Sequence, residues 1–192
     1  SQRGLNVELL IADGGSTDGT VSICSSYIKE LAWFHSEPDR GIYDAWNKMV
    51  PHARGEWICF IGADDVFKTQ DSLSRLWAGA AGRPLGSRLV YGRVRYESPD
   101  PGKSFEQGEP WAEAKRKLVK AMSIPHVGML QHRSIFDEGF RFDSDFKIAG
   151  DFEMVRSEGL IRAAHFVDEV IIVAGIGGVS TRPETELTHV HE

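Results

Sequence analysis

Four aspartates occupy positions from which this chain could do chemistry: Asp13, Asp64, Asp65 and Asp151. Asp13 closes the apolar run "VELLIA" and opens the glycine turn "DGGSTDGT". Asp64 and Asp65 end "GEWICFIGADD", residues 55–65, and Asp151 stands in "FKIAGDFEM", just ahead of an expected helix. Adjacent carboxylates repel each other and resist burial; a divalent cation shared with a phosphate relieves both problems. Asp65, with or without Asp64, could thus hold Mg2+ or Mn2+ against a diphosphate. Asp13 could accept hydrogen bonds from a base N–H or from ribose hydroxyls, and Asp151 could serve as a general base. Each position also has a plain structural reading. Strand-end aspartates form turns and caps, adjacent Asp pairs arise by chance, and an acid at a helix N-terminus is favoured by the helix dipole. The turn is no P-loop either, because "GGSTDGT" lacks both the spacing and the lysine.

The elements around these residues give them a common place. "VELLIA" (7–12) is a compact strand stopping at glycines, and Ser16, Thr17 and Asp18 are suited to capping a following helix. "WFHSE" (33–37) is a short second strand, and "IYDAWNKMV" is an amphipathic helix that Pro51 disturbs. The continuous apolar run at 56–62 is a buried third strand. Three strands alternating with two helices predict one parallel sheet with right-handed crossovers. A helix capped by Thr69 follows, then a strand at 88–97 and a Pro- and Gly-rich loop at 98–110. The second half holds a basic amphipathic helix at 111–122, a helix near 151–159 and an apolar strand in "RAAHFVDEVIIVAG". Open α/β sheets collect ligands beyond the carboxyl ends of their strands, where Asp13, Asp64 and Asp65 fall.

Composition narrows the class. The chain has 192 residues, 41% of them hydrophobic, and a net charge of -6. That balance fits one soluble domain and argues against a nucleic-acid binder, which would carry a basic excess. No apolar run approaches the roughly 20 residues that span a bilayer, and no signal peptide is visible. Cys24 and Cys59 lack metal or redox spacing and are read as buried free thiols in a reducing cytoplasm. The chain begins at Ser1 and runs at once into a strand, which suggests a piece of something longer.

Taken in order, "DGGSTDGT", "EPDRGIYDAWNKM", "GEWICFIGADD", "IPHVGMLQHRSIF" and "FKIAGDFEM" resemble the family 2 glycosyltransferases of the GT-A fold. The resemblance is nearest to the branch that builds bacterial surface polysaccharides and runs from about residue 7 to about residue 180. It implies an α/β fold with a Rossmann-like, mostly parallel mixed sheet flanked by helices, here without the usual first strand and helix. Residues 1–97 would form the donor-binding half, and residues 98–192 the acceptor and catalytic-base half. It further implies that Asp13, with Gly14, contacts the nucleotide base, that Arg40 lies along the nucleotide site, and that Asp151 is the catalytic base. Asp65 would bind the metal directly, and Asp64 would reach the ribose or a metal-bound water. The implied reaction is an inverting, metal-dependent transfer of a sugar from a nucleotide-sugar, with UDP as the default base and GDP and dTDP open. The acceptor would be a hydroxyl on a glycan or a lipid-linked molecule.

Other residues carry two readings. His126 could touch the leaving diphosphate or the metal, or be structural. Trp111 could stack on an acceptor or belong to the core. Arg182, in "GIGGVSTRP", could meet a phosphate from a closing loop. Lys115, Arg116, Lys117 and Lys120 could rest on anionic lipid at the inner face of the plasma membrane, or simply face water. Two other functions compete: a nucleotidyltransferase that makes nucleotide sugars, though its Gly-rich N-terminal loop is not seen, and a non-catalytic partner- or glycan-binding fragment. A phosphoacceptor domain fits poorly, since its acidic pair should close the first strand.

Overall fold

The computed structural model describes residues 2–98, 100, 102–157 and 163–176. Its elements in chain order are β1 (Leu10–Asp13), α1 (Thr20–Ser26), β2 (Trp33–Ser36), α2 (Ile42–Met49), β3 (Trp57–Cys59), β4 (Val66–Phe67) and α3 (Ser72–Gly79). There follow β5 (Leu89–Glu97), β6 (Phe105–Gln107), α4 (Trp111–Lys117), β7 (Leu130–His132), α5 (Ser134–Asp137), α6 (Gly150–Arg156) and β8 (Ala164–Gly175). The fold is mixed α/β, as the sequence implies.

Local chemistry moves several boundaries. The first helix begins at Thr20 rather than at Ser16, because the Ser16 N–H and hydroxyl are both taken up by Asp13. Asp18 instead accepts the Thr20 N–H at 2.8 Å. Pro51 acts as expected: α2 stops at Met49 and the chain tightens into a 3-10 turn over Val50–His52. The expected loop at 98–110 contains β6, which pairs antiparallel with β5 and stacks Phe105 on Tyr96 with ring centroids 4.8 Å apart. A three-residue strand held by a cross-strand ring pair leaves no periodicity among prolines and glycines.

The three strands expected in one parallel sheet are divided between two. β1 and β2 pair in parallel, Leu10 against Trp33 through Asp13 against Ser36, and form a sheet of their own. β3 joins a six-stranded sheet in the order β3-β7-β5-β8-β4, with β6 also on β5. The second sheet is mixed, but parallel pairing does not dominate it: β5–β8 is parallel, whereas β3–β7, β5–β7, β5–β6 and β4–β8 are antiparallel. Between the sheets lies a cleft of about 580 Å3, walled by Leu5, Val7 and Leu10 on one side and Trp57, Ile58 and Ile61 on the other. Among the described residues β1 pairs only with β2, and β3 only with β7, so each keeps one unpaired edge.

β5 divides the core by its two-residue alternation. Leu89 and Tyr91 enter a cluster with Trp46, Phe60, Met129, Phe142 and Met154, while Val90 and Val94 enter one with Leu76, Leu130, Ile171 and Ile172. The first cluster seats α2 and α6, and with them the residues described next.

Candidate active site

Asp64 and Asp65 lie in the tight connection from β3 to β4. The Gly62 N–H donates to Asp65 Oδ2 at 2.8 Å, and the Asp65 N–H returns a bond to the Gly62 carbonyl at 3.3 Å. Both carboxylates fold over Gly62: a Cβ there would stand 2.8 Å from Asp65 Oδ2 and 3.2 Å from Asp64 Oδ1. Burial first, with the Asp64 charge added, lifts Asp65 above the usual carboxylate range against the opposing pull of the Gly62 bond. A cation would relieve this cost. No group of three or more His, Cys, Asp or Glu side chains suited to a metal occurs among the described residues. A pair of hard oxygen ligands nevertheless fits Mg2+ or Mn2+, since such ions commonly take one or two carboxylates and complete their shell with phosphate and water.

Asp13 ends β1 in a dense set of bonds. Oδ2 accepts the N–H groups of Gly15 (3.1 Å) and Ser16 (2.9 Å) and the Ser36 hydroxyl (2.6 Å), while Oδ1 accepts the Ser16 hydroxyl at 2.5 Å. The Ser16 and Ser36 hydroxyls, then the N–H groups, hold the carboxyl at about 2. Gly14 lies against Asp39, so close that a Cβ would come 2.8 Å from its Oδ2. Arg40 is 64% exposed and reaches the Ser144 hydroxyl at 2.8 Å and Asp44 at 3.5 Å.

Asp151 opens α6, and α2 holds the segment that delivers it. Arg40, Tyr43 and Asn47, spaced three and four apart, share one side of the helix and its lead-in. Asn47 donates to the Phe142 carbonyl at 2.7 Å and accepts the Phe142 N–H at 3.0 Å. Arg40 bonds Ser144, and its own carbonyl accepts from Lys147 Nζ at 2.8 Å. The Tyr43 hydroxyl reaches the Ile148 carbonyl and, at 3.2 Å, Asp151 Oδ1, which also accepts the Phe152 N–H at 2.9 Å. The Tyr96 hydroxyl donates to Gln107 Oε1 at 3.2 Å. Burial pushes that phenol up to about 12, with the charges of Asp65 and Asp151 behind it.

His126 is buried beneath this region, stacked on Trp46 and Phe60 with Phe142 edge-on. Its Nε2 meets the Gln131 amide nitrogen at 2.8 Å, and its buried Nδ1 has no partner among the described residues. Burial lowers its pKa against the pull of Asp151, so the ring is neutral. Trp111 starts α4 and packs against the core cluster. Lys115, Arg116, Lys117 and Lys120 are all exposed, though Lys117 pairs with Glu109 at 2.6 Å and Arg116 with Glu113 at 3.9 Å. Arg182 lies outside the described residues. No helix among the described residues is long and apolar enough to cross a membrane.

The sequence reading passed over Tyr43, Asn47, Tyr96 and Gly150. The spacing of Arg40, Tyr43 and Asn47 was its available signal: a polar row on a helix side that also had to face inward.

A curled mixed sheet with acids gathered at the tip of one strand and the start of one helix is the architecture of the GT-A glycosyltransferases. This chain belongs to glycosyl transferase family 2, whose model matches residues 1–140. A PGL/p-HBAD biosynthesis glycosyltransferase of Mycobacterium bovis is 36% identical over 132 residues, 67% of this chain and 49% of that protein. The chain thus spans about half the length of this relative. Among solved structures, S. aureus TarS 1-349 in complex with UDP superposes with a TM-score of 0.65 at 17% identity, covering 95% of this chain and 55% of that one. The mannosyltransferase PcManGT of Pyrobaculum calidifontis, in complex with GDP-Man and Mn2+, gives 0.57 at 19% identity, covering 91% and 49%.

Proposed function

We propose that this chain holds the donor site and catalytic base of an inverting glycosyltransferase that uses a nucleotide-sugar and a divalent cation. The observation that carries the reading is the Asp64–Asp65 pair folded over Gly62 just beyond β3, in a chain that belongs to glycosyl transferase family 2. Asp64 and Asp65 would hold Mg2+ or Mn2+, which when bound neutralises negative charge on a leaving diphosphate. Residues 1–97 form the donor half. Asp13 Oδ1, with one internal bond against three at Oδ2, has room to accept a base N–H, and Gly14 and Arg40 line the approach.

Residues 98–192 supply the base. Asp151 takes the proton of an acceptor hydroxyl; that oxygen bonds the anomeric carbon, and the bond to the diphosphate oxygen breaks with its electron pair leaving on the nucleotide. One displacement inverts the anomeric centre. A positioned base contributes roughly 10²–10⁴-fold. UDP is the favoured base, in keeping with the UDP bound to TarS, and GDP and dTDP are the alternatives. The acceptor is a hydroxyl of a glycan or lipid-linked molecule; the exposed Lys115, Arg116, Lys117 and Lys120 would face its anionic lipid surroundings.

Calorimetric titration with UDP, GDP and dTDP, with and without Mn2+, tests this reading on the protein and on Asp65→Ala. Metal-dependent binding of one nucleotide, lost in the variant, is expected. Folded protein that binds none of them would overturn the reading and favour a partner-binding module.

A further inference from the structure

We infer that Tyr43 is the positioning residue of Asp151: its hydroxyl, within reach of both the Ile148 carbonyl and the Asp151 carboxylate, aims that acid at its substrate. The inference rests on the reading of Asp151 as the base and deepens it.

Packing fixes where the hydroxyl sits. Tyr43 is 4% exposed, with Trp46 at its edge (5.6 Å) and Phe142 stacked on it (5.7 Å). The remaining side is closed by the backbone of Gly150, where a Cβ would stand 2.8 to 3.1 Å from three ring carbons. Glycine beside Asp151 is therefore what admits the ring. A buried phenol so placed cannot swing away without disturbing the core.

Chemistry then decides what the hydroxyl does. It has one proton and two acceptors in reach, the Ile148 carbonyl and Asp151 Oδ1. Burial above all, and then the Asp151 charge, hold the phenol well above its ordinary range, so it keeps that proton and acts as a donor. A carboxylate draws the proton more strongly than an amide carbonyl does. With the Phe152 N–H also on Oδ1, the carboxylate plane is pinned from two directions. Oδ2 is left to take the acceptor proton. Once it has done so, Oδ1 becomes a neutral oxygen and the hydroxyl hydrogen can turn to Ile148. The ring need not move, and neither protonation state leaves the hydroxyl without a partner.

Tyr43→Phe keeps the ring and removes only the hydroxyl. The expected result is a melting temperature lower by about 2–8 °C for the lost buried bond, unchanged nucleotide affinity and unchanged donor KM, with kcat lower by about 5- to 100-fold, the scale of a misaimed catalytic group. In an Asp151→Asn background the same change should cost nothing further, because residues acting as one unit are not additive. Wild-type kcat in Tyr43→Phe, or an equal further loss in the Asp151→Asn background, overturns the inference. If Asp151→Asn alone keeps the wild-type rate, the base reading falls first, and the inference with it. Should Tyr43→Phe fail to fold, Gly150→Ala decides instead: its Cβ displaces the ring while the hydroxyl remains. Lowered kcat at unchanged nucleotide affinity supports the inference, and unchanged kcat overturns it.

Discussion

Replacing Asn47 with alanine should loosen the segment that carries Asp151 without touching any acid. The Asn47 side chain closes a ring of two hydrogen bonds with the Phe142 backbone, at 2.7 and 3.0 Å. Phe142 is only 2% exposed, so its freed N–H and carbonyl would regain water poorly. Two bonds at about 1 kcal/mol each, plus the cost of a backbone pair left partly unsatisfied, put the loss at about 2–4 kcal/mol. At about 2–4 °C per kcal/mol for a domain of this size, Tm should fall by roughly 5–15 °C. Asn47→Asp offers a second arm: it keeps an acceptor for the Phe142 N–H but sets an oxygen against the Phe142 carbonyl, and should cost at least as much. Thermal unfolding followed by circular dichroism reads both. Nucleotide affinity should hold while kcat falls, because the ring braces α6 rather than the donor turn. A Tm within about 1 °C of wild type for Asn47→Ala would refute the bracing.

Three further outcomes follow from the geometry. Gly62→Ala pushes only the flexible ends of Asp65 and Asp64, so Tm should barely move while Mn2+ affinity, measured by titration, weakens by roughly 10–100-fold. Asp13, held at about 2, contributes stability that is present above the ordinary aspartate range and lost as pH falls through about 2. Ser36→Ala removes one of the hydroxyls that hold it there and raises the folded-state pKa, so acid unfolding followed by fluorescence should begin at a higher pH than in wild type. Burial pushes the Cys59 thiol up to about 12, whereas α1, which carries Cys24, buries none of its residues. Iodoacetamide at pH 8 should therefore label Cys24 faster than Cys59 in the folded chain, with the two rates converging on unfolding, as peptide mass mapping would show.

Much of this arrangement was legible beforehand, for a reason each residue states. The apolar run into Asp64 and Asp65 is a local pattern, and the turn it forms closes within four residues. α2 announces itself through Tyr43, Ala45 and Trp46, which the core buries, and Pro51 marks its end. What pairs with what was not legible. β3 chooses β7 from more than 70 residues away, and β5 runs beside β8 at a similar remove, and no alternation of apolar residues names a partner. Ser16 looked like a helix cap because its type suits one; Asp13, three residues back, binds it first. Nothing local marks Tyr43, because its hydroxyl meets Asp151 only once segments more than 100 residues apart fold together.

On the proposed reading of the site, whatever comes to lie along β3 would be coupled to the nucleotide. Trp57, Ile58 and Cys59 form one wall of the cleft, and the same strand runs on into Gly62, Asp64 and Asp65. A segment that paired with this edge would stiffen the turn and lower the entropy that metal and diphosphate must remove on binding. Reciprocity then requires the nucleotide to tighten the hold on that segment by the same factor. The β1 and β3 edges that no described strand pairs are also adhesive, as unpaired strands are. On the proposed reading of the site, pairing along the β3 edge and affinity for the donor would rise and fall together.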